Sequence, residues 1–255
     1  MCPGELALYW WVVYAWVGVA AVTFLALLFI TAPYGRHMRK GWGPTLHRTA
    51  GWVLMEIPAV IVPVVFFLLS ERTGSAVALA FLGIWLLHYV NRSLIYPFRL
   101  TGGNIEMPLS IAAMGFFFNL VNGWLQGRYL FFIGPVLDAS WLVDPRFVAG
   151  TALFIAGFVL NQHSDHVLRN LRKPGETGYK IPYGGGYRFV SCPNYLGELI
   201  EWAGFALLTW SPSGLIFLLW TAANLVPRAR THHRWYVEKF PDYPRERKAI
   251  VPFLY

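Results

Sequence analysis

Between Asn161 and Trp202 the chain concentrates side chains that handle protons and hydrogen bonds. Asn161, Asp165, Arg169 and Arg172 recur at helical spacing and share one helix face. A basic segment with Tyr179 and three consecutive glycines, Gly184 to Gly186, follows, and Asn194, Glu198 and Glu201 then repeat the polar pattern. Arg228, His232 and Tyr236 form a third stripe at i, i+4 and i+8. Guanidinium groups pair with phosphate, whereas carboxylates and amides pair with hydroxyl and carboxamide groups. The mixture therefore suits a ligand carrying phosphates together with a sugar or an amide. Attraction to anionic headgroups, about 1 kcal/mol per basic residue, explains the arginines but not Asp165 among them. Capping explains Asn194 but not two acids entering an apolar span. The glycines allow backbone amides to approach a ligand, although a flexible turn explains them as economically.

A second constellation lies earlier. Glu56 is the single acid in Trp52-Val-Leu-Met-Glu-Ile-Pro58, an otherwise apolar run. An acid at the centre of a membrane helix costs about 2.5–3.5 kcal/mol, which makes it a site candidate by default. Pro58 frees a backbone carbonyl and favours a local bend that opens space. Desolvation favours the neutral carboxylic acid, which can donate a hydrogen bond and polarise a substrate carbonyl; a structural carboxyl bonded to a neighbouring helix is the alternative. Tyr89, Arg92 and Tyr96 lie at i, i+3 and i+7. An interfacial aromatic belt accounts for Tyr96. Tyr89 lies deeper, beside His88, and is either a second donor to the same carbonyl or a packing residue. Helix-to-helix hydrogen bonds account for Asn119 and Asn122.

The elements that must position these residues are membrane helices. Of 255 residues, 56% are hydrophobic, 17% aromatic and only 13% charged, far from the composition of a soluble domain. Apolar spans at 8–30, 50–70, 76–97, 108–127, 146–163, 196–210 and 213–228 predict an all-α integral membrane protein with seven transmembrane helices. The first lacks a basic n-region and a cleavage site, so it reads as a retained helix. Segment 31–49 carries Arg36, Arg39, Lys40 and Arg48 without an acid, segment 164–193 and the tail after Arg228 are also basic, and the intervening loops are near neutral. That alternation places the N-terminus outside and the C-terminus in the cytoplasm, as a single membrane-embedded domain. The net charge of +8 is thereby assigned to loops rather than to nucleic-acid binding. Cys2 and Cys192 make neither a disulfide framework nor a zinc site, and the scattered histidines predict no metal centre. No Walker loop or Gly-x-Gly-x-x-Gly after a strand is present, so a nucleotide here needs a membrane-embedded pocket.

Asn161-x-His-Ser-Asp165, Leu171-Arg-Lys-Pro-Gly-Glu176, Tyr179-x-Ile-Pro, Asn194-Tyr-Leu-Gly-Glu-x-x-Glu-Trp202, His232-His-Arg-Trp-Tyr236 and the segment from Asp242 to Phe253 together resemble the steroid 5α-reductase family. Tyr34-Gly, Glu56-Ile-Pro and His88-Tyr-x-x-Arg-x-x-x-Tyr96 extend the resemblance over nearly the whole chain. It implies an NADPH-dependent reduction of the Δ4 double bond of a 3-oxo-Δ4-steroid of the testosterone or progesterone type. Glu56 and Tyr89 would bond the 3-oxo group, hydride would attack C5, and a proton would reach C4. Asn161, Asp165, Arg172, Tyr179, Asn194, Glu198, Arg228, His232 and Tyr236 match positions that line the cofactor. Substrate would fall mainly to residues 1–107 and cofactor mainly to 108–255, with the cofactor site facing the cytoplasm, in a bacterial cytoplasmic membrane or the endoplasmic reticulum. A steroid or sterol-like lipid and membrane lipids are the expected partners, with no obligate protein partner. The chain departs from the family's animal enzymes at Met55, where they usually carry Gln, at Lys180, where they carry Arg, and between Arg99 and Asn104, which lacks their closely spaced arginines.

Two other readings compete. A membrane methyltransferase of the isoprenylcysteine type, using S-adenosylmethionine, explains the C-terminal stripes but gives Glu56 and Tyr89 no role. A non-catalytic sterol- or lipid-binding protein leaves the mixed basic and acidic stripes unexplained.

Overall fold

A computed structural model of the protein describes residues 3–31, 37, 41–100, 105–172, 176 and 178–255. Tyr34, Gly35, Arg36, Arg39 and Lys40, residues 101–104, and Lys173, Pro174 and Gly175 with the helix stop expected there lie outside the described residues. The architecture is all-helical. Its helices are α1 (Pro3–Phe29), α2 (Arg48–Leu68), α3 (Ala76–Val90), the short α4 (Tyr96–Arg99), α5 (Leu109–Arg128), α6 (Pro145–Arg169), α7 (Pro193–Thr209) and α8 (Pro212–Lys239). A π-helical turn, Asn91–Ile95, joins α3 to α4. Each of the seven apolar spans lies on these helices, and α1, α2, the Ala76–Arg99 rod and α6 are long and apolar enough to cross a membrane. The 17-residue α7 is short for a span, while α5 and α8 carry polar residues that dilute their apolar character.

The chain forms two compact units. Unit 1 comprises Met1–Ala15, Ala32–Val148 and Thr209–Gly214. Here α2 starts with His47 accepting from Thr49 N, and α3 starts with the Ser75 hydroxyl accepting from Ala78 N. Pro58 and Pro63 both lie inside α2. Pro63 lacks the amide hydrogen that would bond the carbonyl of Ala59, and the indole of Trp85 donates to that oxygen instead, at 2.7 Å. A proline thus creates the acceptor that ties α3 to α2. Arg72 does similar service past the end of α5, donating to the carbonyls of Leu130 at 2.8 Å and Gly134 at 2.6 Å. Burial pushes its guanidinium down from the ordinary arginine value. A two-stranded antiparallel ribbon, β1 (Thr45–His47) with β2 (Glu106–Pro108), pairs Leu46 with Met107 at the starts of α2 and α5.

Unit 2 comprises Trp16–Thr31, Ala149–Leu208 and Leu215–Tyr255. Its centre is the contact between α6 and α7, where glycines repeat every seven residues on both partners: Gly150 and Gly157 face Gly204 and Gly197. A Cβ on Gly157 would lie 2.6 Å from the carbonyl oxygen of Gly197, and one on Gly197 would lie 2.7 Å from that of Gly157. The backbones can touch only because neither residue has a side chain. The C-terminal tail returns to the segment before α7: Lys248 N donates to Phe189 O, and Ser191 N and Cys192 N donate to Lys248 O and Ala249 O. The Ser191 hydroxyl lies 2.7 Å from both His233 Nδ1 and the Tyr243 hydroxyl, which locks the tail to α8.

Candidate active site

In unit 1, Glu56 is buried on α2. Asn119 of α5 donates to Glu56 Oε2 at 3.1 Å and to the carbonyl of Met55 at 2.9 Å. Arg92 Nε, in the π-helical turn, lies 3.8 Å from Glu56 Oε1. Its guanidinium also stands over the rings of Trp52, at 4.7 Å, and Tyr96, at 4.9 Å. A π turn carries one residue more per hydrogen bond than an α turn, so it re-aims the side chains that follow α3. Tyr89 is buried near the end of α3, its ring 4.6 Å from Trp85 and 4.9 Å from His88. Trp52 Nε1 is a buried donor that meets no acceptor among the described residues. Met55 packs against Gly115 of α5, a position with room for its side chain because no Cβ stands there.

In unit 2 the close contact of α6 and α7 brings two of the polar stripes together. Asn161 and Asp165 are both buried. Asn161 Nδ2 donates to the carbonyl of Asn194 at 3.0 Å and to Glu198 Oε1 at 3.3 Å, and Asn194 Nδ2 donates to Asp165 Oδ1 at 3.2 Å. These residues come from α6 and from the first turns of α7. On α8, Arg228 Nη2 donates to the Tyr195 hydroxyl at 2.9 Å, and the same hydroxyl lies 3.2 Å from His232 Nε2. Tyr195 thus joins the stripe on α8 to the one on α7. Tyr236 is buried, stacked on Tyr243 at 5.2 Å and 12° between ring planes. Arg172 and Tyr179 are exposed. Arg172 lies in the bend beyond Arg169, where α6 ends, donates to Gly178 O at 3.2 Å and faces the Tyr179 ring at 5.9 Å. Lys180 pairs with Glu176 at 2.5 Å. Among the three glycines, Gly184 and Gly185 take positive φ angles of 88° and 50°, and Gly185 packs against the His163 imidazole.

Arg92, on the stripe with Tyr89, and Asn119, with its helix-to-helix bonds, both meet the Glu56 carboxyl, a convergence that their spacing does not encode. The spacing of 63 residues between Asn119 and Glu56 leaves no local signal for that pairing. Tyr195 stands next to Asn194 on the first turn of α7 and off the spacing of the polar stripes, so only its bonds to Arg228 and His232 mark it. Among the described residues no group of three or more His, Cys, Asp or Glu side chains is placed to hold a metal ion.

Fold and clusters define a helical membrane protein with buried, hydrogen-bonded polar walls. The family model described as 3-oxo-5-alpha-steroid 4-dehydrogenase matches residues 105–255. The chain is 43% identical over 241 residues to steroid 5-alpha-reductase DET2 of Gossypium hirsutum, covering 93% of each chain. It is 44% identical over 240 residues to 3-oxo-5-alpha-steroid 4-dehydrogenase 1 of Bos taurus, covering 92% of this chain and 93% of the relative. With the same-named protein of Homo sapiens it shares 44% over 224 residues, 87% and 86% of the two chains. The chain belongs to the steroid 5-alpha-reductase, or 3-oxo-5-alpha-steroid 4-dehydrogenase, family, and it is an oxidoreductase.

Proposed function

We propose that this enzyme reduces the Δ4 double bond of a 3-oxo-Δ4-steroid to the 5α-dihydro product with NADPH as reductant. The observation that carries the reading is the buried Glu56 with nitrogen donors beside both of its oxygens, in a chain of this family. The chemistry of the side chains in unit 2 fits the cofactor. Asn161, Asp165, Asn194 and Glu198 offer amides and carboxylates to ribose hydroxyls and a carboxamide. Arg172, Arg228 and His232 offer cationic and N–H donors to phosphates, and Tyr179 and Tyr236 offer aromatic faces and hydroxyls. When bound, NADPH supplies a hydride to C5. Glu56 and Tyr89 bond the 3-oxo group and stabilise the negative charge that grows on its oxygen, the usual work of donors aimed at a developing oxyanion. Asn119 and Arg92 orient the Glu56 carboxyl. The seven apolar spans cross the membrane in this account, with the N-terminus outside and the cofactor side in the cytoplasm, in keeping with the alternation of basic loops.

The test is incubation of the purified full chain with NADPH and testosterone or progesterone. The 5α-dihydro product is expected, and Glu56→Gln and Tyr89→Phe each lower turnover while NADPH binding survives. Absence of NADPH consumption together with methyl transfer from labelled S-adenosylmethionine would replace the reductase reading with the methyltransferase one.

A further inference from the structure

On α5 the residues Asn119, Asn122 and Gln126 stand at i, i+3 and i+7, on one face, and all three are buried. The first is bonded to Glu56. At the other end Gln126 Nε2 donates to the carbonyl of Ser213 at 2.8 Å. A chain of hydroxyls continues from there: Ser213 Oγ lies 3.2 Å from Ser211 Oγ, which lies 2.8 Å from Thr209 Oγ1. These hydroxyl residues are also buried, next to the exposed Trp210. Buried polar side chains therefore line the way from Glu56 to the turn between α7 and α8, all within unit 1, with a break in the hydrogen bonding at Asn122 and Gln126.

Two atoms in the middle of this run meet no partner among the described residues: Asn122 Nδ2 is a donor without an acceptor, and Gln126 Oε1 is an acceptor without a donor. A buried atom left bare bears the whole penalty of its lost hydration. The two are complementary. Side chains at i and i+4 have Cβ atoms roughly 5–6 Å apart, a span that one water molecule bridges, accepting from the amide nitrogen and donating to the amide oxygen. Buried amide atoms nearly always have a hydrogen-bond partner in the protein or in ordered water, and a complementary orphaned pair is what a bound water satisfies.

We propose that Asn122 and Gln126 hold water, and that the row from Thr209 to Asn119 orients a water file that returns protons to Glu56. This rests on the reductase reading. In that reaction the hydride's electron pair forms the C5–H bond, the C4=C5 π pair shifts to C3=C4, the carbonyl π pair moves onto the 3-oxygen, and the Glu56 proton passes to that oxygen, leaving an enol and a carboxylate. In ketonisation C4 takes a proton from water and the enol oxygen gives its own to the hydroxide left behind, so this step is proton-neutral and the net uptake falls on the Glu56 carboxylate. Each turnover therefore consumes one hydride and one proton, and the carboxylate must be reprotonated. Water moves that proton; the amides and hydroxyls only hold the water in line.

A water-resolving structure of the full chain tests the site itself. Density within about 3.2 Å of both Asn122 Nδ2 and Gln126 Oε1 is expected; a dry site, or a direct bond between the two amides, overturns the proposal. For the delivery role, Asn122→Leu and the near-isosteric Gln126→Met are compared with the unaltered protein in steroid turnover. A fall in kcat of roughly tenfold or more, a larger solvent deuterium isotope effect and an unchanged KM for NADPH are expected. Asn122→Ser, whose hydroxyl can still donate to water, regains most of the rate. An unchanged kcat and isotope effect in both variants, or a loss traced only to lower Tm, overturns delivery. If the unaltered protein reduces no 3-oxo-Δ4-steroid, the reductase reading fails and the delivery role fails with it, while the density still decides the water site.

Discussion

Glu56 meets nitrogen donors from two segments that follow it in the chain, the amide of Asn119 and the guanidinium of Arg92. Removing one partner of a buried carboxyl leaves a desolvated oxygen, at a cost of about 1–3 kcal/mol. Asn119→Leu is accordingly expected to lower steroid turnover about tenfold while the dissociation constant for NADPH, read by fluorescence, stays put; a weakened cofactor with intact turnover would refute the orienting role. Asn161→Leu is expected to do the reverse, since its amide bonds Asn194 and Glu198 on the opposite helix: NADPH binding weakens about tenfold or more. The residue types and helical spacings in the sequence were enough to single out Glu56, Asn161, Asp165, Asn194 and Glu198. Which atoms bond which was not legible, because the partners stand on different helices and hydrogen-bond geometry has no local sequence signal. Arg92 shows this well: its stripe was visible, but the π turn that carries it beside the Glu56 carboxyl was not.

At the scale of elements, the α6–α7 contact brings Asn161 and Asp165 to Asn194 and Glu198. Gly157 and Gly197 face one another across it, and Asn161 follows Gly157 by one turn. Gly157→Leu is expected to force the helices apart and to lower the detergent-solubilised Tm by several degrees, with loss of NADPH binding; an unchanged Tm would show that the contact tolerates a side chain. The stripes of polar residues drew attention in the sequence, whereas the glycine repeat did not, because small residues matter there for what they leave out. The tail lock adds a pH dependence. Burial, and then the nearby Lys248, hold the His233 imidazole below the ordinary histidine range. The folded protein therefore favours neutral His233, while the unfolded chain takes up a proton at about pH 6.5. The stabilisation is complete above that pH and is lost as the pH falls from there through the lowered folded value. Thermal unfolding between pH 7.5 and 5 is expected to show the loss, and His233→Asn to flatten it.

For the whole molecule, the all-helical class was legible because apolar runs of bilayer length leave the backbone no other partner than its own helix. All seven apolar spans fall on helices, and four of these meet the length and hydropathy of a membrane span. The short ribbon of β1 and β2 was not foreseen: six residues pair there, too few for an alternating pattern to stand out. Single-cysteine labelling of intact vesicles is expected to place the loop at 211–213 and the tail after Lys239 on opposite sides, as the distribution of basic residues requires. The central claim is hydride transfer to a steroid enone. NADPH deuterated at nicotinamide C4 provides the most direct measurement: the unaltered enzyme is expected to yield a 5α-dihydrosteroid with deuterium at C5, and Glu56→Gln to yield little of it. A product without label at C5, or no reduced product from the folded and NADPH-bound protein, would contradict the account.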